Sequence, residues 1–413
     1  MKRILSVPWL IFILLLFPCS PLPAQEGRIN FGNLKVLPGL TLQEVYDDNI
    51  YLGNGTDILG EREESDWITH FMPSLLLDYT LPERGNIKLG YMGDLAYYSN
   101  NNVNNWQTHI GLFDLNYQAP AGLILGLSNM YMNSEDPQTA ENQYLLGIPN
   151  IKRWQDDLKT KLGYLFSERF KVLGYYNYFK QEYDRDIDFT QNYDSNEAGI
   201  GGEMRILPKT WVFVRFYVGE QDFTSQQGAV TDANDADYTW QRVNLGLAWD
   251  SGAKISGELN FGYEWRDFDN PVDSNGTPYD DKNSWIASTS LTYEATASTI
   301  LGLSVIRALR VSGGDSDEYF IDTGIGLSLL QTLLAKLKLS VAVSYSTNDF
   351  NTPADNPLED RADDNYKANL GLLYEIQPWL SAGIGYKYDK KDTNVLAREY
   401  SDNQFLVTLK AAY

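Results

Sequence analysis

The sequence predicts an all-β fold: a transmembrane antiparallel up-and-down β-barrel of about 18 strands, with short periplasmic turns and long extracellular loops. Three observations predict it. Segments of about 10–14 residues alternate apolar and polar side chains, the period of a strand. The connections between them alternate between short and long, and aromatic residues gather at both ends of the segments. Composition excludes the main rivals. The chain has 33 Lys and Arg against 55 Asp and Glu, a formal charge of −22, which opposes the basic footprint needed for nucleic acid. A bundle of membrane helices needs repeated apolar runs of roughly 20 residues, and the chain has none.

The chain opens with a targeting pattern. Lys2 and Arg3 precede an almost wholly apolar stretch from Ile4 to Phe17, and a Pro-broken segment ends at Leu22-Pro23-Ala24. This reads as a signal peptide over residues 1–24. The apolar stretch is short for a membrane anchor. Cys19 is preceded by Leu16-Phe17-Pro18, where a lipid-attachment box needs small residues. Cys19 is the only cysteine, so cleavage leaves a chain without thiols, suited to an oxidising compartment and unable to form disulfides or thiolate metal sites. Residues 25–34 then form a short periplasmic segment, and residues 35–413 the barrel.

Within the barrel, Ile255, Leu259, Phe261, Tyr263 and Trp265 share one face, with Glu258, Glu264 and Arg266 on the other. Leu337, Leu339, Val341, Val343 and Tyr345 oppose Lys336, Lys338, Ser340, Ala342 and Ser344. Short turns are expected at Thr80–Gly85, Gln118–Ala121, Ser167–Arg169, Pro208–Lys209, Ser251–Ala253, Thr296–Ser298, Gln331–Leu333 and Gln377–Pro378. The long, mostly acidic loops fall at 47–66, 99–105, 134–151, 184–193, 224–237, 268–281, 312–318, 349–364 and 392–402. Eight turns and nine loops give eighteen strands, and the even number puts both termini on the periplasmic side.

Descending strands end in Tyr79, Tyr117, Trp249, Tyr293, Tyr374 and Tyr413, and Trp67, Trp106, Trp154, Trp240 and Trp285 open the strands after long loops. These are two interfacial girdles. Trp106 and Trp240 are out of parity with the apolar face of their strands, which a bulge, a lumen-facing ring or a loop position would each explain. The last strand places Phe405, Val407, Leu409, Ala411 and Tyr413 outward; Phe405 and Tyr413 are the residues expected to signal to the outer-membrane insertion machinery. A strand facing lipid cannot leave backbone groups unpaired, so the sheet must close. A β-sandwich would bury its apolar faces equally well, but it predicts neither loop asymmetry nor girdles.

Two stretches resemble a known family. LPGLTLQEVYDDNIYL (Leu37 to Leu52) and DWITHFMPSLLLDYTLPERGNIKLGYMGDLAYY (Asp66 to Tyr98) carry a Pro-led first strand, YDDNI at Tyr46 to Ile50, Pro73 in the second strand and a Tyr-rich third strand. In these features the chain resembles the putative β-barrel porin 2 family of outer-membrane proteins. The resemblance implies a barrel with a pore-like or polysaccharide-linked role, since some relatives are associated with exopolysaccharide operons, and it adds polysaccharide-export components to the expected partners. It transfers no functional residue.

Parity places Lys88, Asp94, Glu203, Arg205, Arg215, Glu258, Glu264, Arg266, Lys336, Lys338 and Lys387 on the inner face, with Lys367, Glu375 and Lys410. In a pore, opposed acidic and basic walls would set up a transverse field that screens solutes; the alternative is that these charges only hydrate and cross-link the lumen. Glycines at inner positions, such as Gly246 and Gly326, relieve crowding. In the third long loop, Tyr144, Leu145, Leu146 and Ile148 form an apolar stretch, either a constriction folded into the barrel or an extension of its strands. The acidic loops match no twelve-residue calcium loop and read as solvated acid, so no metal or cofactor is expected. Catalysis finds no support: neither histidine, His70 or His109, has a Ser and a third orienting group in a recognisable arrangement. Expected partners are outer-membrane lipid, lipopolysaccharide and the insertion machinery. Two functions remain: a channel for hydrophilic solutes, saccharides among them, and a non-conducting structural or assembly-partner barrel.

Overall fold

A computed structural model describes residues 29–55, 63–82, 84–136, 152–184, 192–223, 237–249, 252–269, 282–311, 319–350, 361–394 and 398–412. The alternating segments form strands because every second side chain meets an apolar phase and the others a polar interior. In chain order they are β1 (Ile29–Phe31), β2 (Leu34–Asp47), β3 (Asp66–Leu81), β4 (Gly85–Tyr98), β5 (Trp106–Gln118), β6 (Leu123–Ser134), β7 (Arg153–Ser167), β8 (Phe170–Tyr183), β9 (Tyr193–Leu207) and β10 (Thr210–Phe223). The second half holds β11 (Tyr238–Trp249), β12 (Ile255–Phe268), β13 (Lys282–Thr296), β14 (Thr299–Val311), β15 (Tyr319–Leu334), β16 (Leu337–Phe350), β17 (Ala362–Gln377), β18 (Leu380–Thr393) and β19 (Tyr400–Ala412).

Each strand from β2 to β19 pairs antiparallel with its sequence neighbour, and β19 pairs with β2, so eighteen strands close into a barrel. Their lengths run from 12 to 16 residues, more than the roughly 9–11 that a tilted strand needs to cross a bilayer. No edge is left to lipid, as closure requires.

The extra strand is β1. Residues 29–31 lie in the stretch read from sequence as a segment ahead of the barrel, yet they pair with Leu34–Val36 through a turn at Gly32 (φ +62°). On the same edge of β2, β19 pairs from Gly39 to Asp47. β1 therefore continues the ladder below β19, and the gap falls at Leu37-Pro38, where proline has no N–H to offer.

Register explains why parity survives over such long strands. Shifts occur beside short turns, with one additional residue on the arriving strand: Phe166, Ile206, Ala295, Leu333 and Ile376. Phe166, Ile206, Leu333 and Ile376 are exposed apolar residues at the barrel rim, and a bulge there adds twist without disturbing the strand above it. One turn is corrected. The strand β15 runs through Gln331–Leu333 to Leu334, and the turn is Ala335-Lys336, because the run Leu329-Leu330-Gln331-Thr332-Leu333-Leu334 contains no turn former.

The outer face is apolar, with Leu89, Leu245, Leu327, Ile384 and Val407 all more than half exposed. Tyr79, Tyr293 and Tyr374 are exposed on it at the short-turn end, and Trp67 and Trp285 at the long-loop end. Trp106 and Trp240 point inward. Trp106 meets His70 edge-on at 5.6 Å, and Trp240 donates from Nε1 to Glu197 at 3.2 Å. Of the three explanations for their parity, the lumen-facing ring is the one observed.

Candidate functional site: the barrel interior

The interior is built from three different walls. On β8 to β12 it carries large charged and aromatic side chains in mutual contact. Arg215 donates to Glu203 on β9 and to Glu258 on β12, each at 2.9 Å. Lys171 reaches the other oxygen of Glu203 at 2.7 Å. Arg242 pairs with Glu197 and lies 4.0 Å from Glu264, to which Arg266 donates at 2.9 Å. Guanidinium groups also cover rings: Arg215 over Phe213 at 3.8 Å, Arg266 over Tyr238 at 4.1 Å, Arg242 over Tyr217 at 4.8 Å and Arg205 over Trp211 at 4.5 Å. A charge taken out of water costs several kcal/mol unless it is paired and hydrogen-bonded, and the guanidinium fork meets two carboxylates and a ring at once. The wall is consequently packed: Phe213 is 1 % exposed, Glu203 3 % and Asn244 5 %.

On β14 to β18 the texture reverses. The inner positions at mid-height are Gly302, Ser304, Gly326, Ser328, Ser340, Ala342, Ser344, Gly371 and Gly385. Serines face glycines across the ladder, as in Ser304 with Gly326 and Ser340 with Gly371. Their hydroxyls lie back on the glycine carbonyls, at 3.5 and 3.4 Å, and leave the space above clear. A Cβ added at Gly371 would sit 2.6 Å from the Ser340 hydroxyl. The third wall, β3 to β6, presents Met72, Leu76, Met92, Leu112 and Met130 inward, an apolar patch in an otherwise polar interior.

At the long-loop end a turn folds inside. Asp47 accepts from the Asn49 N–H at 2.8 Å and from Gln404 at 3.0 Å. The Asn49 amide donates to the Gly53 and Ser401 carbonyls at 2.8 and 3.0 Å and accepts from the Gly53 N–H. Asp48 accepts from the N–H and amide of Asn403 at 2.7 and 2.9 Å. Ile50, fully buried, packs with Val45, Ile68, Ala96, Tyr98 and Leu406. The YDDNI segment thus latches β2 to β19 at the closing seam. Oxygens of Asp47, Asp48 and Asp402 lie within 4.8 Å of one another, the one such group of possible metal ligands among the described residues.

Glu203, Arg205, Arg215, Glu258, Glu264 and Arg266 come together on the packed wall, acids beside bases, so their field closes within that wall rather than across the lumen. Lys171, Glu197 and Arg242 complete the network; extending the same parity to β8, β9 and β11 would have found them. Lys88 points inward between Asp78 and Asp114 in the ladder. Asp94 pairs with His70, Nδ1 to Oδ1 2.9 Å. Lys338 and Lys410 face inward near the short turns, and Lys387 at mid-height. Lys367 faces inward and pairs with Asp389 at 2.7 Å, and Glu375 also lies on the inner face. Lys336 is corrected: it sits in the β15–β16 turn, exposed, with its ammonium on the Ile376 carbonyl at 3.3 Å. Phe405 faces outward against Tyr386, with ring centroids 5.2 Å apart. Tyr413, the stretch containing Tyr144, Leu145, Leu146 and Ile148, and residues 1–24 lie outside the described residues. His109 points outward to the Tyr91 hydroxyl at 2.8 Å.

Outer membrane protein OpdK from Pseudomonas aeruginosa superposes with a TM-score of 0.44 at 10 % identity, over 92 % of this chain and 99 % of that one. OccK9 (OpdG) from the same organism gives 0.47 at 10 % identity, over 92 % and 99 %. The siderophore receptor PirA, also from P. aeruginosa, gives 0.41 at 6 % identity, over 92 % and 80 %. No match was found among curated protein sequences. The family model described as putative beta-barrel porin 2 matches residues 23–413, and the chain belongs to that family.

Proposed function

We propose that this outer-membrane protein is a porin-like, non-enzymatic channel for hydrophilic solutes, with saccharides among them. The observation that carries the reading is the interior itself: an eighteen-stranded barrel whose mid-height wall from β14 to β18 is mostly glycine and serine. A barrel of about 16–18 strands encloses more space than its own side chains fill, and this wall contributes almost none. Apart from the apolar patch on β3 to β6, hydroxyls, amides and ion pairs line the remainder, which suits solutes that exchange hydrogen bonds with water for hydrogen bonds with the wall. Acids and bases on the inner face are close to balance, so the acidic excess of the chain lies in its connections and at outward strand ends. The termini then lie on the periplasmic side with the short turns, and the long acidic loops face outward.

The second reading is a closed structural barrel. It is favoured by the packed wall and by the Asp48–Gly53 turn, which fills the interior above β2 to β5. Planar-bilayer recording of the purified protein separates the two. The channel reading expects discrete open steps whose size falls when neutral oligosaccharides are added; a correctly folded protein that stays silent would overturn it.

A further inference from the structure

The two halves of the interior differ in a way that the channel reading alone does not require. On β8 to β12 every guanidinium that meets a carboxylate also covers a ring, and the side chains bury one another; Asn244 and Asn260, at mid-height, are hydrogen-bonded at 2.8 Å and only 5 % and 7 % exposed. On β14 to β18 Ser328 is exposed and Ser344, Asn369 and Gly385 are partly open. Space in a barrel goes where side chains are short. The charges differ too. The packed wall neutralises its arginines in place. Lys387, at the middle of β18, faces Asn369 and Gln404 in the ladder. Its ammonium makes no hydrogen bond or ion pair with any described residue. Lys387 is itself partly exposed.

We infer that the solute path is eccentric, running along the glycine–serine wall of β14 to β18, and that Lys387 is the specificity-determining charge on it, favouring solutes that carry an oxyanion such as a carboxylate. The inference rests on the channel reading and adds where the path lies and what it selects. A strongly hydrated lysine ammonium acts as a point charge that attracts an anion without demanding one fixed geometry, which suits passage better than tight binding. The partly exposed Asn369 amide beside it supplies a donor for a hydroxyl of the same solute. The fixed pairs opposite contribute little net charge, so Lys387 is the charge that a passing solute meets at mid-height on the glycine–serine wall.

Single cysteines test this cleanly, because Cys19 is the only cysteine in the sequence and lies in the predicted signal peptide. Ser328→Cys and Ser344→Cys, recorded in planar bilayers, should react with charged methanethiosulfonate reagents and lose about half or more of their current as the added group narrows the path. Asn244→Cys and Asn260→Cys should conduct like the wild type and remain unmodified. For charge, Asn369→Cys faces Lys387 directly. The ratio of its labelling rates by the anionic and the cationic reagent should fall about fivefold or more when Lys387→Gln is added. Equal labelling of both walls, or labelling of the serine wall with no change in current, would overturn the eccentric path. An unchanged rate ratio in the Lys387→Gln background would overturn the role of Lys387. A silent wild type would instead bring down the channel reading itself.

Discussion

Arg215 shows how single residues settle the interior. Its guanidinium links Glu203 on β9 to Glu258 on β12, and all three are largely buried. Arg215→Met keeps the bulk over Phe213 and removes the cation shared by Glu258 and Glu203, leaving Glu203 paired with Lys171. Removing one partner of a buried pair typically costs about 3–5 kcal/mol, so the variant should unfold at clearly lower denaturant concentration in lipid vesicles, and Glu203→Gln should recover part of the loss. Lys336→Gln, on the exposed turn, should change stability by no more than about 0.5 kcal/mol in the same measurement. The contrast also marks what the sequence could reveal. Alternation alone assigned Arg215, Glu203 and Glu258 to one face. It could not show that they touch, because contact depends on which strands neighbour in space and on side-chain reach. Lys336 was misassigned because nothing in Leu329–Leu334 announces that the strand continues past Gln331. The pairing of His70 with Asp94 was hidden for a similar reason: it needs the β3–β4 register, not merely the two strands.

Among the elements, β2 carries the seam. Asn49 alone ties the turn to Gly53 and to Ser401 on β19. Asn49→Ala leaves buried carbonyl groups unmatched at about 1–3 kcal/mol. Amides of β19 near Ser401 should then exchange hydrogen faster, while those of β10 to β12 keep wild-type protection. The facing of strands makes a second prediction. Leu245 is 56 % exposed on the outer side of β11; Leu245→Arg should impair vesicle insertion by about 2–4 kcal/mol near mid-membrane. Ser344→Arg, on the inner side of β16, should insert normally. Strand boundaries were largely legible because the register shifts are confined to the rim, where an additional residue cannot invert the strand above. β1 escaped notice because three residues are too few to show a period, and its role is fixed by where β19 stops, a property of the closed sheet.

At the scale of the whole molecule, the architecture follows from a division of solvents. Lipid outside demands apolar side chains at alternate positions and a ladder without edges; an aqueous interior tolerates charge, provided that each charge is paired or hydrated. Loop asymmetry and the aromatic girdles, both visible in the chain, mark the two ends of that division. The unequal walls were not legible in the same way, since Gly and Ser at inner positions read as unremarkable until β14 to β18 are seen side by side. The most direct test is a spin-label accessibility scan along β16 in vesicles, one cysteine at a time from Val341 to Ser346. Val341, Val343 and Tyr345 should be accessible to oxygen dissolved in lipid, and Ala342, Ser344 and Ser346 to a water-soluble nickel chelate, the two signals alternating out of phase with a period of two residues. Oxygen and nickel accessibility that rise and fall together along the strand would contradict the account.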